Sequence, residues 1–434
     1  MNRALSPFVV LALLVGSSAA GAAARATFQE LLANLKSPNA NTRRQAAEAL
    51  GESHRREAVM PLAALVRDPE AEVRLEVVTA LRRLRDLDAV PALVTSLGDG
   101  DPKIRKEAVA GLVEMYADPE RASAVSRFLG MFSDEKESPS ISPIVTVDPA
   151  VHRGLAVALR DEEKDIRRDA AAALTILDGR SEIEDVLVAL QDLEPSVREV
   201  VVTAVARLGT AEDGKALIPL LADQSSGVRA RVLRALGQLR VREAGPSLRQ
   251  LYEASRNKET SLRILESLSR VRDPNQADLF RILVQDPDPE RRRLAVEGLG
   301  RIADPGLLTA LKKDFQRERN DELRLAYAFA LTLLGDTAFV DSIVLSLPSR
   351  TLGTRCHEYL RELGPDLLPD LYPYLSDPDA DIRTALCDLL GEMGDPDAIP
   401  HLTPLVSDPS SKVADSANRS VARLRLLEEV AFRR

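Results

Sequence analysis

The sequence Asp377-Pro378-Asp379-Ala380-Asp381-Ile382-Arg383 begins a helical run that ends in Leu390-Gly391, and the same frame returns along the chain. Its arginine recurs about every 31 residues, at Arg43, Arg74, Arg105, Arg167, Arg198, Arg229, Arg263, Arg292, Arg324, Arg355 and Arg383. The step from Arg105 to Arg167 is twice as long, and one further step from Arg383 reaches Ala414. A fixed short period indicates a stack of small units, none of which buries its apolar face alone. We therefore predict one degenerate unit between Arg105 and Arg167 and about thirteen units in all.

An aspartate precedes the arginine by six residues in seven units, which pair Asp68 with Arg74, Asp99 with Arg105, Asp161 with Arg167, Asp192 with Arg198, Asp223 with Arg229, Asp286 with Arg292 and Asp377 with Arg383. An aspartate at a helix start caps free N–H groups, and a following proline suits the first turn. Residues that return in nearly every unit do not mark a single site. We interpret these pairs as a structural ladder, formed within or between units.

The pattern predicts two helices in each unit. The second helix of one unit carries Val73, Val77, Leu81 and Leu84 on one face. Glycine eight residues after the arginine permits close helix contact, at Gly51, Gly237, Gly300 and Gly391. Glycine eleven residues after it is typical of a left-handed helix end, at Gly209, Gly335 and Gly394. Strand-like alternation is absent over most of the chain, so we predict an all-α fold.

This pattern resembles HEAT repeats, and most closely the HEAT-like subtype named after phycobilin lyases. The resemblance covers roughly residues 27 to 424 and rests on the D-P-x-x-x-V-R motif, the alanine-rich helix and Leu-Gly. It implies an α-solenoid whose second helices line a concave surface that binds another protein. Such solenoids serve many unrelated tasks, so the resemblance predicts the fold more firmly than the function.

The first 24 residues differ from the rest of the chain. Arg3 precedes an apolar core from Phe8 to Val15, and small residues such as Ala22 and Ala24 follow, which is typical of a secretory signal peptide. We predict a chain exported to a bacterial periplasm or secreted, with no stable membrane span after cleavage; an uncleaved signal anchor is the alternative. We predict a signal peptide at 1–24, repeats at 25–132 and 151–424, an insertion at 133–150 that replaces a repeat helix, and a tail at 425–434.

The composition argues against catalysis and against nucleic acid. The net charge is −9, with acidic and basic residues interspersed, and there is no tryptophan. HEAT-like deoxyhypusine hydroxylases bind two irons through several His-Glu pairs, whereas His357-Glu358 is the one such pair in this sequence. Phycobilin lyase activity fits poorly with export. We predict no catalytic, cofactor or metal site and a protein that is not an enzyme.

Two departures from the repeat are candidate contact sites for a protein partner. The 133–150 insertion offers Ile144, Val145 and Val147 as an added strand; alternatively it is a decayed unit whose loop covers the core. Leu325 and Phe329 replace polar residues at two positions predicted to face away from the core, which suggests an exposed apolar anchor. Packing against the adjacent charged extension is the alternative for this pair.

Cys356 and Cys387 lie on neighbouring second helices and form either a disulfide or two buried free thiols. Taken together, the sequence predicts an exported scaffold that binds a protein partner of unknown identity. A structural spacer or assembly factor of the cell envelope, with self-association through the terminal unit, is the alternative.

Overall fold

The computed structural model describes residues 26–116 and 146–433, which form an all-α stack with no β-strand among them. The signal peptide predicted at 1–24 lies outside the described residues. Twelve helix pairs follow one another in the described part of the chain, and we call them units 1 to 12. The predicted α-solenoid is therefore confirmed, with a count close to the expected one.

The first helices of units 1 to 12 are mostly short: Phe28–Asn34, Val59–Ala63, Val90–Ser96, Pro149–Ala158, Ile183–Val188, Ala211–Gly214, Gly245–Ala254, Ala277–Leu283, Leu308–Arg317, Val340–Val344, Leu368–Leu371 and Ile399–Leu402. Several are lengthened by 3₁₀ turns, of which Lys215–Ala222 is the longest. The second helices are Ala40–Glu52, Ala71–Leu84, Pro102–Tyr116, Lys164–Ile176, Pro195–Leu208, Ser226–Gln238, Lys258–Arg270, Pro289–Ile302, Asp321–Leu333, Gly353–Leu363, Ala380–Met393 and Ser411–Arg433.

Most second helices end one or two residues before a residue with a positive φ. This residue is His54, Arg85, Asp178, Arg240, Arg272, Ala303, Gly335, Gly364 or Gly394. The left-handed helix ends predicted at Gly335 and Gly394 are present, with φ of 93° and 75°. The prediction for Gly209 is wrong, because its backbone is extended at φ −83° and ψ 176°. There the chain leaves the helix directly into the next capping box, at Thr210.

These helix ends reveal the true register of the repeat. In regular units the left-handed residue follows the arginine by eleven positions, as Arg85 follows Arg74. The same distance places Ser261 in unit 7 and Gly353 in unit 10 at the arginine position. Arg263 and Arg355 were therefore assigned wrongly, since each lies two residues beyond that position. Ser261 is 3% exposed, whereas Arg263 points outward and pairs with Glu259 one turn earlier.

Glycine lets neighbouring second helices approach closely, as predicted. A Cβ atom on Gly300 would lie 2.5 Å from Ala330 Cα, and one on Gly51 would lie 2.8 Å from Ala80 Cα. Both distances are far below van der Waals contact, so a side chain at these positions would push adjacent units apart.

Unit 3 packs directly against unit 4, although 47 residues separate their second helices in the chain. Arg105 of unit 3 donates to Asp161 at the start of unit 4, with Nε–Oδ2 and Nη2–Oδ1 distances of 2.6 and 2.8 Å. Among the described residues, no further layer therefore lies between units 3 and 4, where a degenerate unit was predicted. The predicted insertion also ends earlier than residue 150, because Asp148 caps a helix that begins at Pro149.

The last unit ends in one long helix. Ser411–Arg433 continues through most of the tail predicted at 425–434, so this segment is helical as far as residue 433. Lys412, Asp415, Asn418 and Arg425 are exposed on this helix. No helix in the described ranges is long and apolar enough to cross a membrane.

Candidate interaction surface

An arginine–aspartate ladder joins the regular units along one edge of the stack. In unit 2, Arg74 Nε and Nη2 donate to the two carboxylate oxygens of Asp99 in unit 3, at 2.7 and 2.9 Å. Its Nη1 donates to the carbonyl oxygen of Asp68 in its own unit, at 2.8 Å. The ladder therefore runs between units. The six complete rungs are Arg43–Asp68, Arg74–Asp99, Arg105–Asp161, Arg167–Asp192, Arg198–Asp223 and Arg383–Asp408.

The ladder carboxylates are held in the charged form. Burial raises the pKa of the Asp99 carboxyl, but hydrogen bonds from Arg74 and from the Asp101 N–H outweigh burial and hold that pKa below its usual range. Bidentate pairs between a guanidinium and a carboxylate combine charge with fixed geometry. Each rung thus orients one unit on the next.

The ladder is interrupted from unit 6 to unit 10. Arg229 and Arg292 still donate to the carbonyl oxygens of Asp223 and Asp286, at 2.6 and 2.8 Å. The following units, however, carry Ser255 and Glu318 where a regular unit has aspartate. Neither arginine forms an ion pair with another described residue, so Asp286 and Arg292 belong to no complete rung.

A buried ionic network replaces the missing rungs and joins unit 8 to unit 10. Glu297 of unit 8 is 3% exposed and accepts hydrogen bonds from Arg293, from Arg301 Nη1 at 3.1 Å and from the Tyr359 hydroxyl at 2.5 Å. Arg301 also donates to both carboxylate oxygens of Glu362 in unit 10, each at 2.9 Å. Burial raises the pKa of Glu297, but Arg301 and Arg293 lower it to about 2. Units 8 and 10 thus contact each other past unit 9, on the side of the second helices.

Leu325 and Phe329 of unit 9 lie beneath this contact. Their exposed fractions are 2% and 0%, so the prediction of an exposed apolar anchor is wrong. The Tyr359 ring stacks on the Phe329 ring, with centroids 4.2 Å apart and planes 13° apart. The helix of unit 10 covers the second-helix side of unit 9, which explains why two large apolar residues occupy positions that are polar elsewhere.

The hypothesis that the insertion offers a strand to a partner does not hold for Val147. Val147 is 8% exposed and belongs to the main apolar core, so it is not presented to a partner. The next residue, Asp148, donates its N–H to the Tyr116 hydroxyl at 3.3 Å, which ties this segment to unit 3. Ile144 and Val145 lie outside the described residues.

A polar groove crosses the second helices of units 10 to 12, with a cavity of about 440 Å³. His357 Nε2 lies 2.8 Å from Glu392 Oε2 on one wall, and Arg419 Nη2 lies 3.3 Å from Asp388 Oδ1 on the other. Gly391 lies on the floor, where its missing side chain lets Ser420 of unit 12 pack closely: a Cβ on Gly391 would lie 2.6 Å from Ser420 Cβ. Sequence reasoning missed this groove, although all four of these charged or titratable residues lie on second helices.

The described residues provide no arrangement for metal or thiol chemistry. No group of three or more histidine, cysteine, aspartate or glutamate residues among them could hold a metal ion. Cys356 and Cys387 are free and buried rather than bridged. Burial raises the pKa of each thiol to about 12, so both are protonated at neutral pH.

Comparisons with known proteins identify the family. The model of HEAT repeats matches residues 28–114, 153–237, 214–281, 245–332 and 350–422. The chain belongs to the HEAT-repeat family, which confirms the resemblance noted in the sequence. A search of curated proteins gave no match.

Several solved structures are similar to this chain at low identity. An engineered protein is 17% identical, with 92% of this chain and 98% of that chain covered and a TM-score of 0.36. The YibA protein of Escherichia coli is 14% identical, with coverage of 64% and 92% and a TM-score of 0.40. The complex of CpcE and CpcF of phycocyanin lyase from Nostoc is 18% identical, with coverage of 65% and 98% and a TM-score of 0.30.

Proposed function

We propose that this protein is an exported, non-catalytic scaffold that binds a protein partner on the exposed side of its second helices, which we call the second-helix face. The observation that carries this proposal is a separation of tasks within the unit. The core and the ladder edge hold the stack together, and the same residue types recur there. The second-helix face carries different side chains in each unit, including Arg44 and Glu48 in unit 1 and Thr384 and Asp388 in unit 11. Positions that stacking leaves unconstrained are available for recognition.

The groove of units 10 to 12 is the most concrete contact site. Its walls carry carboxylates, guanidinium groups and an imidazole, which suit polar and charged side chains of a protein partner. Its carboxylates and guanidiniums lie on second helices, which fits the surface that HEAT-like proteins use.

The ionisable groups whose pKa values are shifted support the non-catalytic part of this proposal. Glu297, Arg293 and Arg301 satisfy one another inside the stack. The two thiols are protonated, and a protonated thiol is a poor nucleophile. None of these groups is poised for proton transfer near neutral pH.

A spacer that polymerises end to end receives less support. The last helix exposes charged and polar residues, including Lys412, Asp415 and Arg425. Terminal units with a polar outer face are typical of a closed end in a repeat stack. Export rests on the signal-like leader, and N-terminal sequencing of the mature chain tests it: a start after Ala22 or Ala24 is expected, and a retained Met1 contradicts export with cleavage.

Site-specific photo-crosslinking tests partner binding. A photoreactive residue replaces Arg423 in the groove in one variant and Gln250, exposed on a first helix of unit 7, in the control. In envelope preparations of the native host we expect one defined crosslinked protein from position 423 and none from position 250. Equal products from both positions, or none from either, would contradict binding through the second-helix face.

A further inference from the structure

The C-terminal ends of the second helices in units 6 and 7 form a basic patch, defined here as Arg240, Arg270 and Arg272. Arg240 and Arg272 occupy equivalent left-handed positions in adjacent units, with φ of 57° each. The aliphatic part of the Arg270 side chain packs against unit 6. Its Cβ lies 3.2 Å from the position that a Cβ on Gly237 would occupy. Arg240 and Arg272 are thus near enough to interact electrostatically, and Arg270 packs where the two units meet.

The carboxylates around this patch are already engaged. Glu362 accepts two hydrogen bonds from Arg301 at 2.9 Å each and one from Arg272 at 3.4 Å. Glu266 accepts from Arg270 Nη2 at 2.9 Å, on the same helix. Arg240 is exposed and forms no ion pair with the residues that the structure describes. The patch therefore keeps an excess of positive charge, in a protein whose net charge is −9.

Some guanidinium donors in the patch also lack an acceptor. The Nε atoms of Arg270 and Arg272 are buried and have no hydrogen-bond partner among the described residues. Partial burial of the Arg240 side chain lowers its pKa, and the neighbouring Arg272 lowers it further. A carboxylate from a partner would lessen the mutual repulsion of these guanidinium groups.

We propose that the basic patch binds an acidic segment of the partner protein, whose carboxylates pair with Arg240, Arg270 and Arg272. This inference rests on the proposed function and specifies the chemistry of the partner. Arginine forks match carboxylates in a bidentate geometry, and complementary charge both accelerates encounter and selects the partner. Nucleic acid fits less well, because the net charge of the chain is −9 and the patch is confined to three arginines.

A competing interpretation is that these arginines only stabilise helix ends, since cations favour the C-terminus of a helix. Unit 2 offers a matched control, because Arg83 and Arg85 occupy the repeat positions of Arg270 and Arg240. Arg83 pairs with Glu76, and Arg85 donates to the carbonyl oxygen of Glu114 at 2.8 Å. Arg83→Glu/Arg85→Glu therefore makes the same charge change at the same register without touching the patch.

The test measures fluorescence anisotropy of a labelled decapeptide of alternating glutamate and glycine, titrated with the mature chain at low salt. We expect Arg240→Glu/Arg270→Glu to raise the Kd at least about tenfold and the unit 2 control to raise it less than about twofold. Arg240→Gln, which removes charge without reversing it, gives an intermediate value. Circular dichroism of each variant checks that the helices remain.

Three results would overturn the inference. The first is no binding of the peptide by the unaltered chain, and the second is equal weakening by the patch and control variants. The third is tighter binding of a ten-nucleotide oligothymidylate that the patch variant abolishes, which would assign the patch to nucleic acid. The crosslink from position 423 remains an independent readout: a partner still captured by the patch variant at unchanged yield removes the acidic-segment proposal but leaves the scaffold function intact.

Discussion

Units 1 to 5 and units 6 to 10 are held together by different kinds of contact. In the first group every arginine pairs with the aspartate of the next unit, so each interface is fixed by a local and repeated contact. In the second group the rungs are missing, and Glu297 with its arginines joins units that are not neighbours in the chain. A local rung constrains only two adjacent units, whereas the contact between units 8 and 10 also constrains two units that are not adjacent.

Removal of the central carboxylate should cause the largest loss of stability. Glu297→Ala leaves Arg293 and Arg301 buried without their shared partner, so we expect units 8 to 10 to lose about 3–5 kcal/mol. Hydrogen exchange resolved by peptide measures this loss unit by unit. Glu290→Ala removes a partly exposed carboxylate from the same Arg293 and should cost less than about 1 kcal/mol. Equal losses from the two variants would contradict the special role of the network.

A side chain at the close helix contact should have the next largest effect. Gly300→Ala places a Cβ 2.5 Å from Ala330 Cα, so we expect a loss of about 2 kcal/mol from separation of units 8 and 9. Gly100→Ala is the control, because nothing lies within 4 Å of its Cβ position. Urea denaturation followed by circular dichroism compares them, and a stable Gly300→Ala chain would show that the interface is looser than described.

Loss of one rung should lower stability by as much as Gly300→Ala or less, and only at the interface that the rung joins. Asp99→Asn removes the charged acceptor of Arg74, and we expect about 1.5–2 kcal/mol less protection at the interface of units 2 and 3. Hydrogen exchange in units 8 to 10 should stay unchanged. A loss of protection that spreads to those units would mean that the two regions are not independent.

Addition of a rung where one is missing should give the smallest effect, and a favourable one. Ser255→Asp supplies the carboxylate that Arg229 lacks, and we expect a gain of about 0.5 kcal/mol at the interface of units 6 and 7. The gain should vanish in an Arg229→Ala background, which a double-mutant cycle measures. A gain that persists there would come from helix capping rather than from a new rung.

The sequence predicted what depends on neighbours in the chain. The 31-residue period, the aspartate at the helix start and the glycine eight residues after the arginine each act within one unit or between adjacent units. These features were sufficient for the fold, because a stack is built from nearest-neighbour contacts.

The sequence did not predict what depends on the contact between units 8 and 10. Arg355 lies near the position that a 31-residue spacing predicts, so the two-residue shift of the unit 10 helix was not recognised. Gly364, eleven residues after Gly353, shows that Gly353 occupies the arginine position. Leu325 and Phe329 were predicted to be exposed because the shifted position of the unit 10 helix, whose Tyr359 ring stacks on the Phe329 ring, was not recognised. The groove of units 10 to 12 was missed because its walls come from three helices.

The central claim is that stacking and binding use different sides of the unit. Hydrogen exchange tests it most directly, measured on the mature chain with and without the protein that crosslinks at position 423. The account predicts slower exchange in peptides of the second helices of units 10 to 12, and unchanged exchange in the loops that carry the Asp68 to Asp223 rungs. Protection centred on those loops or on the first helices, with the second helices unchanged, would contradict it.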